Sequence, residues 1–143
     1  LEMMNPLDEH ERCHKLIESL ILLLADELHL PVVGYPAPTL KRADLGIGTE
    51  PEAAYYIQTE ARMQGRAEID LAVDPAPDLI LEVELSRSEI NKFALYAQLG
   101  VREVWRYISK PGDTFLQGNF FIHLALGSCV AVVARSRTSG QTH

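Results

Sequence analysis

The sequence predicts an α/β domain, a mixed sheet of four or five strands with two helices packed on it. Three observations lead there. An amphipathic helical stripe occupies residues 9–28, a strand–helix–strand unit fills 77–108, and short β-like runs broken by turn residues lie between and after them. At 143 residues the chain has room for one domain. Residues 3–108 read as its core and 109–143 as divergent C-terminal strands and tail of the same domain, with Leu1 and Glu2 left out of the fold. Apolar residues at 47% and charged residues at 23% give a globular rather than a disordered balance.

The elements follow in order. From Glu9 to Leu28, apolar residues recur at Cys13, Leu16, Ile17, Leu20, Ile21, Leu24 and Leu28, at spacings of three and four. Asp8 is the expected N-cap, Glu11 its capping-box partner, and Pro31 the stop. Residues 31–36 read as a short strand, 41–48 as a loop and 52–58 as a strand through Tyr55-Tyr56-Ile57. The polar stretch 59–77 is harder to assign, with Ile69, Leu71 and Val73 as a short extended piece. Residues 78–85 alternate as a strand. Ser86 and Glu89 then form a capping box for a helix from about Arg87, with Ile90, Phe93, Ala94 and Ala97 as its inner face. Gly100 closes that helix, 102–108 is the next strand, and the crossover is right-handed if the two strands are parallel. Residues 115–134 are apolar enough for two strands turning at Gly127-Ser128, and 135–143 reads as a tail.

Charge and cysteine content narrow the function. A net charge of −7 disfavours a protein that grips a phosphate backbone by bulk electrostatics. It leaves room for an enzyme that meets nucleic acid through a divalent ion, because the ion inverts the local sign. Cys13 and Cys129 are too few for a disulfide framework or a zinc site, so a reducing cytoplasm is the expected compartment. The acidic N-terminus does not read as a signal peptide, and no apolar run spans a bilayer.

The strand at 78–85 carries the most chemistry. Leu79, Leu81, Val83 and Leu85 alternate with Asp78, Ile80, Glu82 and Glu84, so one face holds three carboxylates. Glu82 and Glu84 lie about 6.5–7 Å apart by strand geometry, and Asp78 about 13 Å from Glu82. Carboxylates that close repel unless solvent, a base or a divalent cation relieves them. A metal using Glu82 would need its next ligand from a neighbouring strand; Glu50 and Glu52 are candidates, and in isolation they read equally well as exposed turn residues. The competing reading is a solvated strand face, with Lys92 an ordinary exposed lysine in the second turn of the following helix and Tyr96 on the same side.

Three segments, Glu50-Pro-Glu-x-x-Tyr-Tyr-Ile57, Pro77-Asp-Leu-Ile-Leu-Glu-Val-Glu84 and Ile90-Asn-Lys-Phe-x-x-Tyr-Ala-x-x-Gly-Val-x-Glu-Val-Trp-Arg-Tyr107, carry a resemblance. Over residues 9–107 the chain resembles the Uma-type restriction endonucleases of the PD-(D/E)XK nuclease superfamily. That resemblance implies a restriction-endonuclease-like sheet flanked by helices and a metal-dependent DNA endonuclease using Mg²⁺ or Mn²⁺. It places Glu52 at the acid of the "PD" pair, Glu82 at the acid of the (D/E)-x-K strand and Lys92 as a lysine displaced to the next helix. Glu52 and Glu82 would hold the metal; Glu11, Asp78 and Glu84 would support the site. Phosphodiester hydrolysis suits such a set, since an ion polarises the phosphoryl oxygen and activates water while a lysine steadies developing charge.

Two departures bear on activity. Glu52 stands where the family has Asp, and the segment after Tyr107 is more apolar than the family's ending. The rival reading is therefore a catalytically inactive member of the same fold acting as an interaction module. A homodimer is expected from the superfamily's habit and from apolar residues near the C-terminus. His10-Glu-Arg-Cys-His14 matches H-E-x-x-H literally but lacks a third ligand, and packing or capping is the better reading. Gly46-x-Gly48 precedes no helix and is not a phosphate loop, while Tyr55, Tyr56 and Trp105 read as core or interface aromatics.

Overall fold

The computed structural model describes residues 6–84, 92–108, 118–125 and 129–135. Helix α1 (Pro6–Glu27) precedes strand β1 (Val33–Pro36), a hairpin of β2 (Leu40–Arg42) and β3 (Ile47–Thr49), and strand β4 (Ala53–Tyr56). Then come the short helix α2 (Glu60–Met63), strand β5 (Leu79–Glu84), helix α3 (Phe93–Gln98) and strands β6 (Glu103–Ile108), β7 (Asn119–Ala125) and β8 (Cys129–Arg135). Among the described residues six strands form one mixed sheet in the order β1-β4-β5-β6-β7-β8, and β2 pairs only with β3. Strand β5 runs parallel to β6 and every other pair is antiparallel. The α/β reading holds, with one strand more in the sheet than expected.

Several local expectations are corrected. Helix α1 starts at Pro6, where a proline needs no N–H, so Asp8 falls inside the first turn instead of capping it. The helix ends at Glu27, before Pro31, and His29, with φ of 55°, turns the chain out. The loop expected at 41–48 contains the β2–β3 hairpin. Residues 71–73 are a turn rather than an extended piece, because Asp70 and Asp74 take the nearby backbone N–H groups. The capping box at Ser86/Glu89 lies outside the described residues, as does the turn at Gly127-Ser128. Gly100, with φ 90°, closes α3 as expected, the Val101 N–H donating to the Tyr96 carbonyl.

Both sheet faces are packed. On one, Cys13, Ile17 and Ile21 of α1 meet Ala53, Tyr55, Leu79, Leu81, Val83 and Tyr107. On the other, Tyr96 and Leu99 meet Leu40, Ala54, Ile80, Val101 and Val104. The carboxylate-bearing face of β5 is therefore not solvated: Ile80 is fully buried and Glu82 is only 6% exposed. A parallel pair covered on both sides forces this. Helix α3 packs Phe93 inward as expected but also turns Tyr96 inward and leaves Ala94 and Ala97 outside, while Ile90 lies outside the described residues. Phe93, Tyr96 and Leu99 fit the helical period as well and bury far more apolar surface.

Candidate active site

The carboxyl end of β5 gathers the charged groups, the position where open α/β sheets present chemistry. Glu82 accepts a hydrogen bond from the Tyr96 hydroxyl across the β5–α3 layer. Glu84 is paired with the Arg106 guanidinium at 3.0 Å, both side chains largely buried. Glu82, Glu84, Lys92, Phe93, Tyr96, Val104, Arg106 and His123 line a small cavity of about 10 Å³. That volume holds about one water.

The electrostatics follow from burial. Burial pushes the Glu82 carboxyl above the usual carboxylate range, the Tyr96 hydroxyl and the Lys92 charge pull it back, and Glu84 and Glu52 push it up again. Burial raises the Tyr96 hydroxyl, helped by the charge on Glu82, so it stays protonated and acts as a donor. Burial also holds His123 below the ordinary imidazole value, with Arg106 adding to the effect. The acidic strand is thus relieved in this structure by bases, Lys92 and Arg106, rather than by solvent.

Glu52 stands just before β4. The ladder pairs Ala53 with Leu81, so the next rung places Glu52 opposite Glu82, and the Ala37 N–H donates to the Glu52 carbonyl. The two carboxyl groups have different partners. Glu52 lies 2.8 Å from Nε2 of His10 and 3.7 Å from Nδ1 of His14, both on α1, while Glu82 turns to α3. His10 Nε2 is also 2.9 Å from the Val83 carbonyl, so this one ring ties the head of β4 to the end of β5.

The other expected residues lie elsewhere. Lys92 occupies the N-cap position of α3 instead of its second turn, and still reaches the cavity. Asp78, at the far end of β5, accepts the backbone N–H groups of Ile57 at 2.6 Å and Gln58 at 2.9 Å. Glu11 is exposed, 3.9 Å from Lys15. Sequence reasoning missed Arg106, His123 and the role of His10. Arg106 was legible in principle, since an arginine on a strand parallel to an acidic one is a natural neutralising partner.

By donor type the rung of Glu52 and Glu82 suits a hard divalent cation, which takes one or two carboxylates and keeps several waters. By arrangement it is not a closed cage, because no three His, Cys, Asp or Glu side chains among the described residues converge to hold a metal.

A mixed sheet with helices on both faces and an acid–base cluster at the end of its parallel strand defines a nuclease-like α/β fold. The same fold is seen in the crystal structure titled as a putative nuclease belonging to DUF820 from Anabaena variabilis. The likeness has a TM-score of 0.53 at 15% identity, over 92% of this chain and 69% of that one. The chain belongs to the Uma2 family, described as "Putative restriction endonuclease", whose profile matches residues 1–112. No curated protein matches it. Among the described residues no helix is long and apolar enough to cross a membrane.

Proposed function

We propose that the protein is a metal-dependent DNA endonuclease that hydrolyses phosphodiester bonds, working in the cytoplasm as a homodimer. The observation that carries this reading is the buried Glu82, held between the Tyr96 hydroxyl and the Lys92 charge at the carboxyl end of β5. Glu52 and Glu82 would hold Mg²⁺ or Mn²⁺, which when bound activates water and polarises a phosphoryl oxygen. The chain's own groups have separable tasks. Tyr96 fixes the Glu82 carboxylate, Arg106 neutralises Glu84, and Lys92 brings positive charge to where the phosphoryl oxygens gain negative charge. Asp78 supports the strand end, and Glu11, exposed beside Lys15, would support the site only from outside the cavity.

One observation favours a second reading, a nuclease fold without activity that serves as an interaction module. Glu52 is held by His10 on α1, away from Glu82, which turns to α3. Plasmid nicking by the purified protein in Mg²⁺ and in Mn²⁺, beside Glu82→Ala and Lys92→Ala, separates the two. Cleavage lost in both variants supports the endonuclease. No cleavage, with no Mn²⁺ bound in titration, supports the inactive module. Cleavage kept by both variants places the activity elsewhere.

A further inference from the structure

Helix α1 carries a second apolar stripe beside the one it buries. Cys13, Ile17, Ile21 and Ala25 face the sheet, whereas Leu16, Leu20 and Leu23 are 47%, 46% and 57% exposed. Leu24 and Leu28, also exposed, join that stripe to a cavity of about 420 Å³ floored by Trp105 and Leu124. Scattered surface leucines need no explanation, but a continuous set on one helix face marks an interaction surface.

The same helix line is bounded by charge. Arg12 lies four residues before Leu16 and Glu27 four residues after Leu23, and both are exposed. Successive separations of four, four, three and four keep all five side chains within one face of the helix. Reversing the helix about the midpoint between Ser19 and Leu20 lays Leu16 over Leu23 and Arg12 over Glu27.

We infer that this face is the interface between two copies of the chain, packed with their α1 helices antiparallel about a two-fold axis between Ser19 and Leu20, beside the Leu20 side chain. A two-fold interface must be complementary to itself, and this line is: its apolar centre meets itself and its basic end meets its acidic end. Parallel packing would set Arg12 against Arg12 and Glu27 against Glu27. Nucleic acid or an anionic lipid surface fits poorly, because both call for clustered Lys and Arg, whereas Glu9 lies on the stripe and Asp26 beside it. Within the stripe Arg12 and Glu27 match across the axis, so two chains of net charge −7 meet here through opposite rather than like charges. Glu82, Tyr96 and Lys92 lie on the opposite sheet face and stay free in both copies.

Sedimentation equilibrium on the full chain tests the inference without reference to activity. The parent is expected to be a dimer, and Leu20→Glu, which sets two carboxylates beside the axis, a monomer with unchanged circular dichroism. Arg12→Glu alone and Glu27→Arg alone should each weaken the dimer about three- to tenfold, since each disturbs two symmetry-related exposed pairs. The double variant Arg12→Glu/Glu27→Arg should recover most of the parent affinity. A monomeric parent at high micromolar concentration would overturn the inference. So would a dimer that survives Leu20→Glu, or single-swap losses that the double variant does not recover.

Discussion

The two ends of β5 present carboxylates of opposite character on one strand face. At the start, Asp78 is met by two backbone N–H groups, which satisfy an anion with fixed dipoles and join β5 to the exit of β4. At the end, Glu82 is met by a phenol and a nearby ammonium, buried and pushed by Glu84 and Glu52. The first arrangement stabilises a charge; the second keeps one poised. An acidic pattern in sequence does not distinguish them, whereas the kind of donor that meets each carboxylate does.

The largest expected effect sharpens the reactive end. Lys92→Ala should lower metal-dependent cleavage by about 10²-fold or more while the thermal midpoint stays near the parent's. A loss of activity that merely tracked a loss of folding would remove Lys92 from the site.

Asp78→Ala should act at the other end through stability, costing about 2 kcal/mol because two backbone donors lose a charged acceptor. Urea unfolding measures it, and a midpoint equal to the parent's would show that water replaces the carboxylate.

A subtler test uses the raised Glu82 carboxyl in metal-free protein. A carboxyl whose folded-state pKa lies above its unfolded value binds more protons when folded, so stability falls as pH rises through the interval between them. Glu82→Gln keeps an acceptor for Tyr96 and removes that loss. Its urea midpoint should exceed the parent's at neutral pH, with the gap closing below the ordinary value of 4.5. A parent that gains on the variant as pH rises would mean that Lys92 outweighs burial.

Glu84→Gln should have the smallest effect, about 1 kcal/mol or less, since it weakens rather than abolishes the contact with Arg106. It should also lower the Glu82 carboxyl by removing a neighbouring charge. Carbon-13 NMR of labelled glutamate would register that movement.

Legibility in the sequence divided along the same line. The long amphipathic helix, the β5–α3–β6 crossover and the Gly100 stop were readable because period and capping are local properties. The closeness of Glu82, Glu84 and Lys92 was readable because three residues on one crossover reach the same strand end. The partners of Glu52 were not, because His10 lies 42 positions away and only tertiary packing brings its ring to both Glu52 and the Val83 carbonyl. The inward turn of Tyr96 was missed for a different reason. Two apolar stripes fit α3, and the choice between them depends on the room beneath the helix.

The most direct test compares both ends of β5 in one assay. Glu82→Gln and Asp78→Asn are measured side by side for Mg²⁺- and Mn²⁺-dependent plasmid cleavage, normalised to folded protein. The expected result is cleavage by the parent and by Asp78→Asn, and none by Glu82→Gln. Equal cleavage by the two variants, or loss confined to Asp78→Asn, would contradict the assignment of chemistry to the carboxyl end of the strand.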